Sequence, residues 1–166
     1  MATRKTHKKL PRVDNVYTKA RIACIERGFG LVGNDRNLLR LKDLHKGKIG
    51  YLIGNGPSVR TEDLEALEGA ITFCCNRFYL SYDMTKFRQT YTVSSDQTMI
   101  DDFGQEIVSK SSGTVVLVSN ERVPLSGDYI KLRWDDRSRE PFRFSERPYH
   151  HVWLGGSTLF SAAQLC

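Results

Sequence analysis

The sequence predicts an α/β fold built on a mainly parallel sheet flanked by helices. Three observations carry this. Short apolar runs at 49–53, 70–75 and 114–118 and a β-rich run at 90–94 have strand length and are bounded by Gly or polar residues. Segments with apolar residues at helical spacing, 61–67 and 97–109, lie between them. Strands alternating with helices are the pattern of a parallel sheet whose crossovers cover its faces. The 166 residues, 40% of them hydrophobic and 27% charged, are enough for one globular domain. Eight Phe, seven Tyr and two Trp supply apolar surface for a core. No apolar run approaches the roughly 20 residues of a membrane span. The basic N-terminus lacks the apolar stretch of a secretory signal.

The net charge of +6 is unevenly spread. Residues 1–48 hold 13 Lys or Arg against 4 Asp or Glu, a net +9, and residues 49–166 hold 12 against 15, a net −3. A basic leader is thus joined to a slightly acidic body, and contact between that leader and an anionic surface is one expectation. The leader's basic cluster at residues 4–12 has no interleaved aromatics and the leader no nucleic-acid motif, which argues against a nucleic-acid partner. The four cysteines form no Cys-x-x-Cys, so they read as reduced thiols of a cytoplasmic protein and not as a zinc site.

The elements follow in order. Residues 1–20 read as a flexible arm, with Lys5, Lys8, Lys9 and Arg12 clustered and Pro11 interrupting. Val16 to Phe29 has helical spacing but a thin apolar face, and Gly28, Gly30 and Gly33 break it. Asn37 to Leu44 is a second short helix with Leu38 and Leu41 on its apolar side. His45 to Lys48 is a turn. Ile49 to Ile53 is nearly continuous in apolar residues, as in a strand buried on both faces. In the next helix Thr61 is read as the N-cap. Glu62 and Asp63 occupy the first turn, where the helix dipole favours acids. Gly69 ends it. Ala70 to Cys75 is the second strand, with Cys74 and Cys75 on opposite faces. Thr90 to Ser94 is the third, followed by a helix over Gln97 to Ser109. Thr114 to Val118 and Tyr129 to Leu132 are further strands. Asp135 to Tyr149, rich in charge with two prolines, reads as a loop or lid. Val152 to Leu154 is short and apolar, and Leu159 to Cys166 is amphipathic.

Three strands end in polar residues suited to ligands: Asn55, Asn76 and Asp96. In open α/β sheets, ligands bind beyond the carboxyl ends of the strands. Gly54, Asn55, Gly56, Pro57 and Ser58 form a strand-to-helix turn. Its glycines permit positive φ and close approach, and Ser58 and the amides after it could face an anion. The alternative is a tight structural turn. Asn76 can read a base edge or ribose, or cap a helix. Asp96 can hold Mg²⁺, orient a hydroxyl, or cap the helix that follows. Gly155, Gly156, Ser157 and Thr158 repeat the glycine-then-hydroxyl pattern, for an anion or for a plain cap by Ser157. His150 and His151 precede that loop, and either could act as an acid or base. Arg137, Arg139, Arg143 and Arg147 could close over phosphates, with Asp135, Asp136, Glu140 and Glu146 partly neutralising them.

Taken in order, these segments resemble the 6-hydroxymethylpterin diphosphokinase-like (MptE-like) domain. The resemblance rests on His45-Lys46-Gly47-Lys48, Gly54-Asn55-Gly56-Pro57-Ser58 and Asp63-Leu64-x-x-Leu67. It continues through Thr72-Phe73-Cys74-Cys75-Asn76-Arg77-Phe78-Tyr79, Thr90 to Asp96, Gly155-Gly156-Ser157-Thr158 and Ala163-Gln164-Leu165. It covers roughly residues 42–166, with 1–41 as a basic arm carrying short helices. The turn at 54–58 and the segment at 76–79 are also similar to bacterial lipo-oligosaccharide sialyltransferases and to motility accessory factors.

The resemblance implies a Rossmann-like fold and transfer from a nucleotide or nucleotide-sugar donor to a small-molecule or glycan acceptor. The first expectation is glycosyl transfer in surface polysaccharide synthesis. The second is diphosphoryl transfer from ATP with Mg²⁺. A third is an inactive fragment or a non-catalytic binding protein with a basic arm. Asn55 and Asn76 would contact the nucleotide, and Ser157 with its neighbours the phosphates or the transferred group. Asp96 is a motif position and the candidate metal ligand. Relatives continue past the helix at Leu165 into another strand, so this chain is expected to be shortened at its C-terminus.

Overall fold

The computed structural model describes residues 16–30, 33–121, 124–135 and 143–166. Lys5, Lys8, Lys9, Pro11 and Arg12 of the arm lie outside the described residues, as do Asp136, Arg137, Arg139 and Glu140 of the expected lid. The elements run α1 (Val16–Glu26), α2 (Gly33–Leu41), β1 (Gly50–Ile53), α3 (Thr61–Glu65), β2 (Ile71–Cys75) and a 3₁₀ turn (Phe78–Ser81). They continue with β3 (Tyr91–Ser94), α4 (Gln97–Lys110), β4 (Thr114–Val118), β5 (Ile130–Leu132), β6 (Trp134–Asp135), β7 (Val152–Trp153) and α5 (Thr158–Ala163). No helix among the described residues is long and apolar enough to cross a membrane.

The fold is α/β and Rossmann-like. Strands β1 to β5 lie side by side in chain order, and every neighbouring pair is parallel. Parallel neighbours require crossovers, and crossovers of one hand between strands in chain order fall on one face. That face carries α3, the 3₁₀ turn and α4. Leu64 and Phe78 pack there with Ile53 and Cys74, and Ile100 and Ile107 pack with Val115 and Leu117. Period-two alternation sends Phe73, Tyr91, Val93, Val116 and Val118 to the other face, where Leu38 of α2 and Ala162 of α5 cover them. Leu38 shares the main core with the sheet, so the second helix of the arm drawn at 1–41 is part of the body. Arg21 of α1 is tied to α2 through Asp35, which is fully buried, at 2.6 Å from Nε to Oδ1.

The two edges of the sheet differ. At β5, the Asn34 side chain takes the place of a neighbouring strand. Its Nδ2 donates to the Lys131 carbonyl at 2.9 Å, and its Oδ1 accepts from the Lys131 amide at 2.7 Å. Asn120 grips Trp134 in the same way, and β6 pairs with β7 as a separate parallel ribbon. At the opposite edge, β1 corrects the expectation of a strand buried on both faces. Gly50, Tyr51 and Leu52 are exposed, and Ile53 alone of the strand is buried. An apolar run reports β preference and burial tendency, not position in the sheet order, so it does not distinguish an edge from a central strand.

Candidate functional site

The carboxyl ends of β1, β2 and β3 are laced together by the segments singled out above. Asn55 Nδ2 donates to the Cys75 carbonyl at 2.8 Å, joining the end of β1 to the end of β2. The Asn76 amide donates to the Val93 carbonyl at 2.8 Å, and Asn76 Oδ1 accepts from Ser94 Oγ at 2.9 Å, joining β2 to β3. Ser95 Oγ bonds Thr158 Oγ1 at 3.0 Å, bringing the start of α5 onto the end of β3. Leu159 packs on Gly54, its Cδ1 3.4 Å from where a Cβ would stand. Four stretches spread from residue 54 to residue 159 thus meet at one edge.

Several local expectations change. Gly54 and Gly56 do not use positive φ. Gly54 gives Leu159 room, and Gly56 starts a turn closed by the Val59 amide on its carbonyl at 3.1 Å, with Pro57 inside it. Thr61 is not the cap of α3. Arg60 holds that position and makes no side-chain cap bond. Asn76 is not a cap either. It stands at φ 52, in the left-handed region that Asn tolerates better than most residues. This turns its side chain back onto Ser94. Its Nδ2 makes no hydrogen bond among the described residues.

The hydroxyls of the 155–158 segment are largely spent. Ser157 Oγ accepts from the Phe160 amide at 3.2 Å as the α5 cap, and Thr158 is bonded to Ser95. Gly155 and Gly156 have φ of 53 and 78, so this turn does need glycine. Asp96 is exposed and caps α4, with Oδ1 accepting from the Thr98 and Met99 amides at 2.9 and 3.3 Å. Its second oxygen remains for a cation or hydroxyl, while no group of three His, Cys, Asp or Glu placed to hold a metal occurs among the described residues.

An open cavity of about 310 Å³ adjoins Asn55. Gly54, Asn55 and Gly56 line one side, Leu64 of α3 another, and Arg77, Phe78 and Ser81 the far wall. Arg77 went unnoticed as a site residue in the sequence. Its guanidinium lies over the Phe103 ring at 3.8 Å, and its Nε donates to Tyr79 Oη at 3.0 Å. Tyr79 in turn donates to Glu106. Hydrogen bonds from Lys110 and then Tyr79 hold the Glu106 carboxyl below its usual range. Arg77 is thereby fixed in orientation, with its charge also near the Glu106 carboxylate. The one sequence signal was its place directly after Asn76.

His150 and His151 are placed by contacts with each other and with Trp153. Their Nδ1 atoms are 2.8 Å apart, and the His151 ring meets Trp153 edge-on. Arg143 lies over the Trp153 ring at 5.5 Å, and Arg147 pairs with Glu26 at 2.9 Å. These groups attach to the β7 region and to α1, while the site residues gather at the ends of β1 to β3.

Comparison with protein-family models, curated proteins and solved structures gives no match.

Proposed function

We propose that the chain is a nucleotide-dependent transferase whose donor binds at the carboxyl edge of β1 to β3. The observation that carries the reading is that Asn55 and Arg77 line one cavity there, with Asn76 beside its lining at the end of β2. Asn55 keeps its Oδ1 and Asn76 its Nδ2 for a ligand, since their other side-chain atoms hold Cys75 and Ser94. An acceptor and a donor fixed on adjacent strand ends suit the edge of a base or a ribose. Arg77, steadied by Phe103 and Tyr79, supplies positive charge for a phosphate. The cavity is at the small end of ligand sites, which run from about 300 to 1,000 Å³.

Glycosyl transfer from a nucleotide-sugar is the preferred reaction. Such a step needs orientation of donor and acceptor and stabilisation of the departing phosphate, which amides and a cation can provide. Diphosphoryl transfer from ATP is the second reading. It asks for Mg²⁺ held by carboxylate and phosphate oxygens, and Asp96 would be the carboxylate at the strand ends. Calorimetric titration with CMP and other nucleoside phosphates, and with ATP with and without Mg²⁺, tests both. Metal-independent binding of a nucleoside monophosphate favours the glycosyl reading, and binding of ATP only with Mg²⁺ favours the second. No saturable binding of any nucleotide rejects the transferase.

A further inference from the structure

Neighbouring residues of a strand point to opposite faces, so adjacent histidines normally diverge. His150 and His151 converge. The His150 amide donates to the Arg147 carbonyl at 2.9 Å, closing a turn just before β7. Beyond that turn the two Nδ1 atoms stand 2.8 Å apart, with ring centroids at 4.5 Å and ring planes at 65°. Both residues are half-buried.

The backbone that carries the pair is held on both sides. The turn fixes it before His150. After His151, the Val152 amide donates to the Arg133 carbonyl at 2.8 Å. Gln164, itself buried, grips the next residue. Its Oε1 accepts from the Trp153 amide at 2.8 Å, and its Nε2 donates to the Trp153 carbonyl at 2.7 Å. The Trp153 ring meets the His151 ring edge-on at 5.0 Å. The spacing of the two nitrogens is therefore set by the fold before any ligand arrives.

We propose that His150 and His151 form a two-nitrogen site for a divalent transition metal that prefers right-angled coordination, nickel(II) or copper(II). Only one proton fits between ring nitrogens this close, so the neutral pair sets one N–H against one lone pair. When a metal takes the place of that proton, the proton moves to Nε2 of its own ring, and both neutral rings offer an Nδ1 lone pair. The spacing selects the metal. Nitrogens 2.8 Å apart subtend about 90° at an ion about 2.0 Å from each. That is the angle of square-planar or octahedral geometry, whereas tetrahedral zinc asks for nitrogens about 3.3 Å apart. Water fills the other positions, since no third His, Cys, Asp or Glu is placed to join the pair among the described residues. Arg143 lies over the Trp153 ring at 5.5 Å and keeps a cation in the neighbourhood, which moderates the affinity. Two imidazoles in this setting correspond to a nickel Kd of roughly 10–100 µM.

Titration of the full chain with nickel(II) chloride at about pH 7.4, where histidine is neutral, tests this. Nickel is the probe because it does not oxidise the free thiols. Calorimetry should show one ion per chain, and tryptophan emission should fall in step, because Trp153 lies against His151. In the amide spectrum of the parent chain the paramagnetic ion should broaden Val152 and Trp153 before other residues. His150→Asn and His151→Asn should each weaken binding at least about tenfold at unchanged far-ultraviolet spectrum. The chain has four histidines, and His7→Asn and His45→Asn should leave the affinity unchanged. Absence of saturable binding up to about 1 mM nickel overturns the proposal. So does broadening that begins elsewhere in the chain, or an affinity indifferent to both His150→Asn and His151→Asn.

Discussion

The Ser95 hydroxyl bonds the Thr158 hydroxyl at 3.0 Å, across 63 residues of sequence. This bond lies between the end of β3 and the first residue of α5, so it sets the helix on the edge where Asn55 and Asn76 gather. Ser95→Ala or Thr158→Val should each cost about 1 kcal/mol, the usual net worth of a neutral hydrogen bond. The double variant should cost less than the sum of the two, which a urea-denaturation cycle measures.

Asn76 has a structural and a ligand-facing half, and two substitutions separate them. Asn76→Ala forces a Cβ-bearing residue without a compensating side-chain bond to remain at φ 52 and leaves the buried Ser94 hydroxyl unpaired. It should lose about 2 kcal/mol. Asn76→Gly accepts the same backbone at no steric cost and loses only the bond to Ser94, so it should cost about 1 kcal/mol. Both remove the free Nδ2. If nucleotide binding follows stability instead of the amide, the ligand role assigned to Asn76 is wrong.

Gly155 and Gly156 share positive φ but not surroundings. A Cβ on Gly155 would stand 2.1 Å from the Phe160 ring, whereas one on Gly156 would meet open space. Gly156→Ala should cost about 1 kcal/mol for the backbone alone. Gly155→Ala adds displacement of Phe160 and should cost about 3 kcal/mol or more. Thermal melts of the two variants read this difference.

The adjacent thiols give a pH dependence. Burial raises Cys75 from near 9 to about 11 and raises Cys74 further, the neighbouring thiol adding to the shift at Cys74. The unfolded chain therefore loses these protons first as pH rises. Their contribution to stability is complete below about pH 9 and declines between about 9 and 11. The urea midpoint should fall over that interval, and it should fall less steeply in Cys74→Ala/Cys75→Ala. Equal slopes in the two proteins would remove the thiols from the account.

Much of the fold could be read from the residues because local pattern and tertiary role agree in them. Val115 and Leu117 face one side of the sheet and Val116 and Val118 the other, which is why that run lacks alternation and reads as a buried parallel strand. Helix α4 announces itself through Ile100, Phe103 and Ile107, and Asp96 caps it as its position suggested. The site segments were legible as polar residues closing apolar runs. What escaped the sequence depends on partners distant in the chain. The edge position of β1 follows from strand order, the bonds of Asn34 span 97 residues, and the cap-like spacing of Asn76 concealed a left-handed residue tied to Ser94. Arg77 was hidden for the same reason, since only the packing of α4 brings Phe103 beneath it.

The most direct test of the nucleotide site is calorimetric titration of the parent chain and Asn76→Gly with the same panel of nucleotides. The account predicts saturable binding of at least one of them to the parent, with Kd at or below about 1 mM, and at least about tenfold weaker binding by Asn76→Gly at unchanged fold. Absence of binding by the parent, or equal affinity in the two proteins, would contradict it.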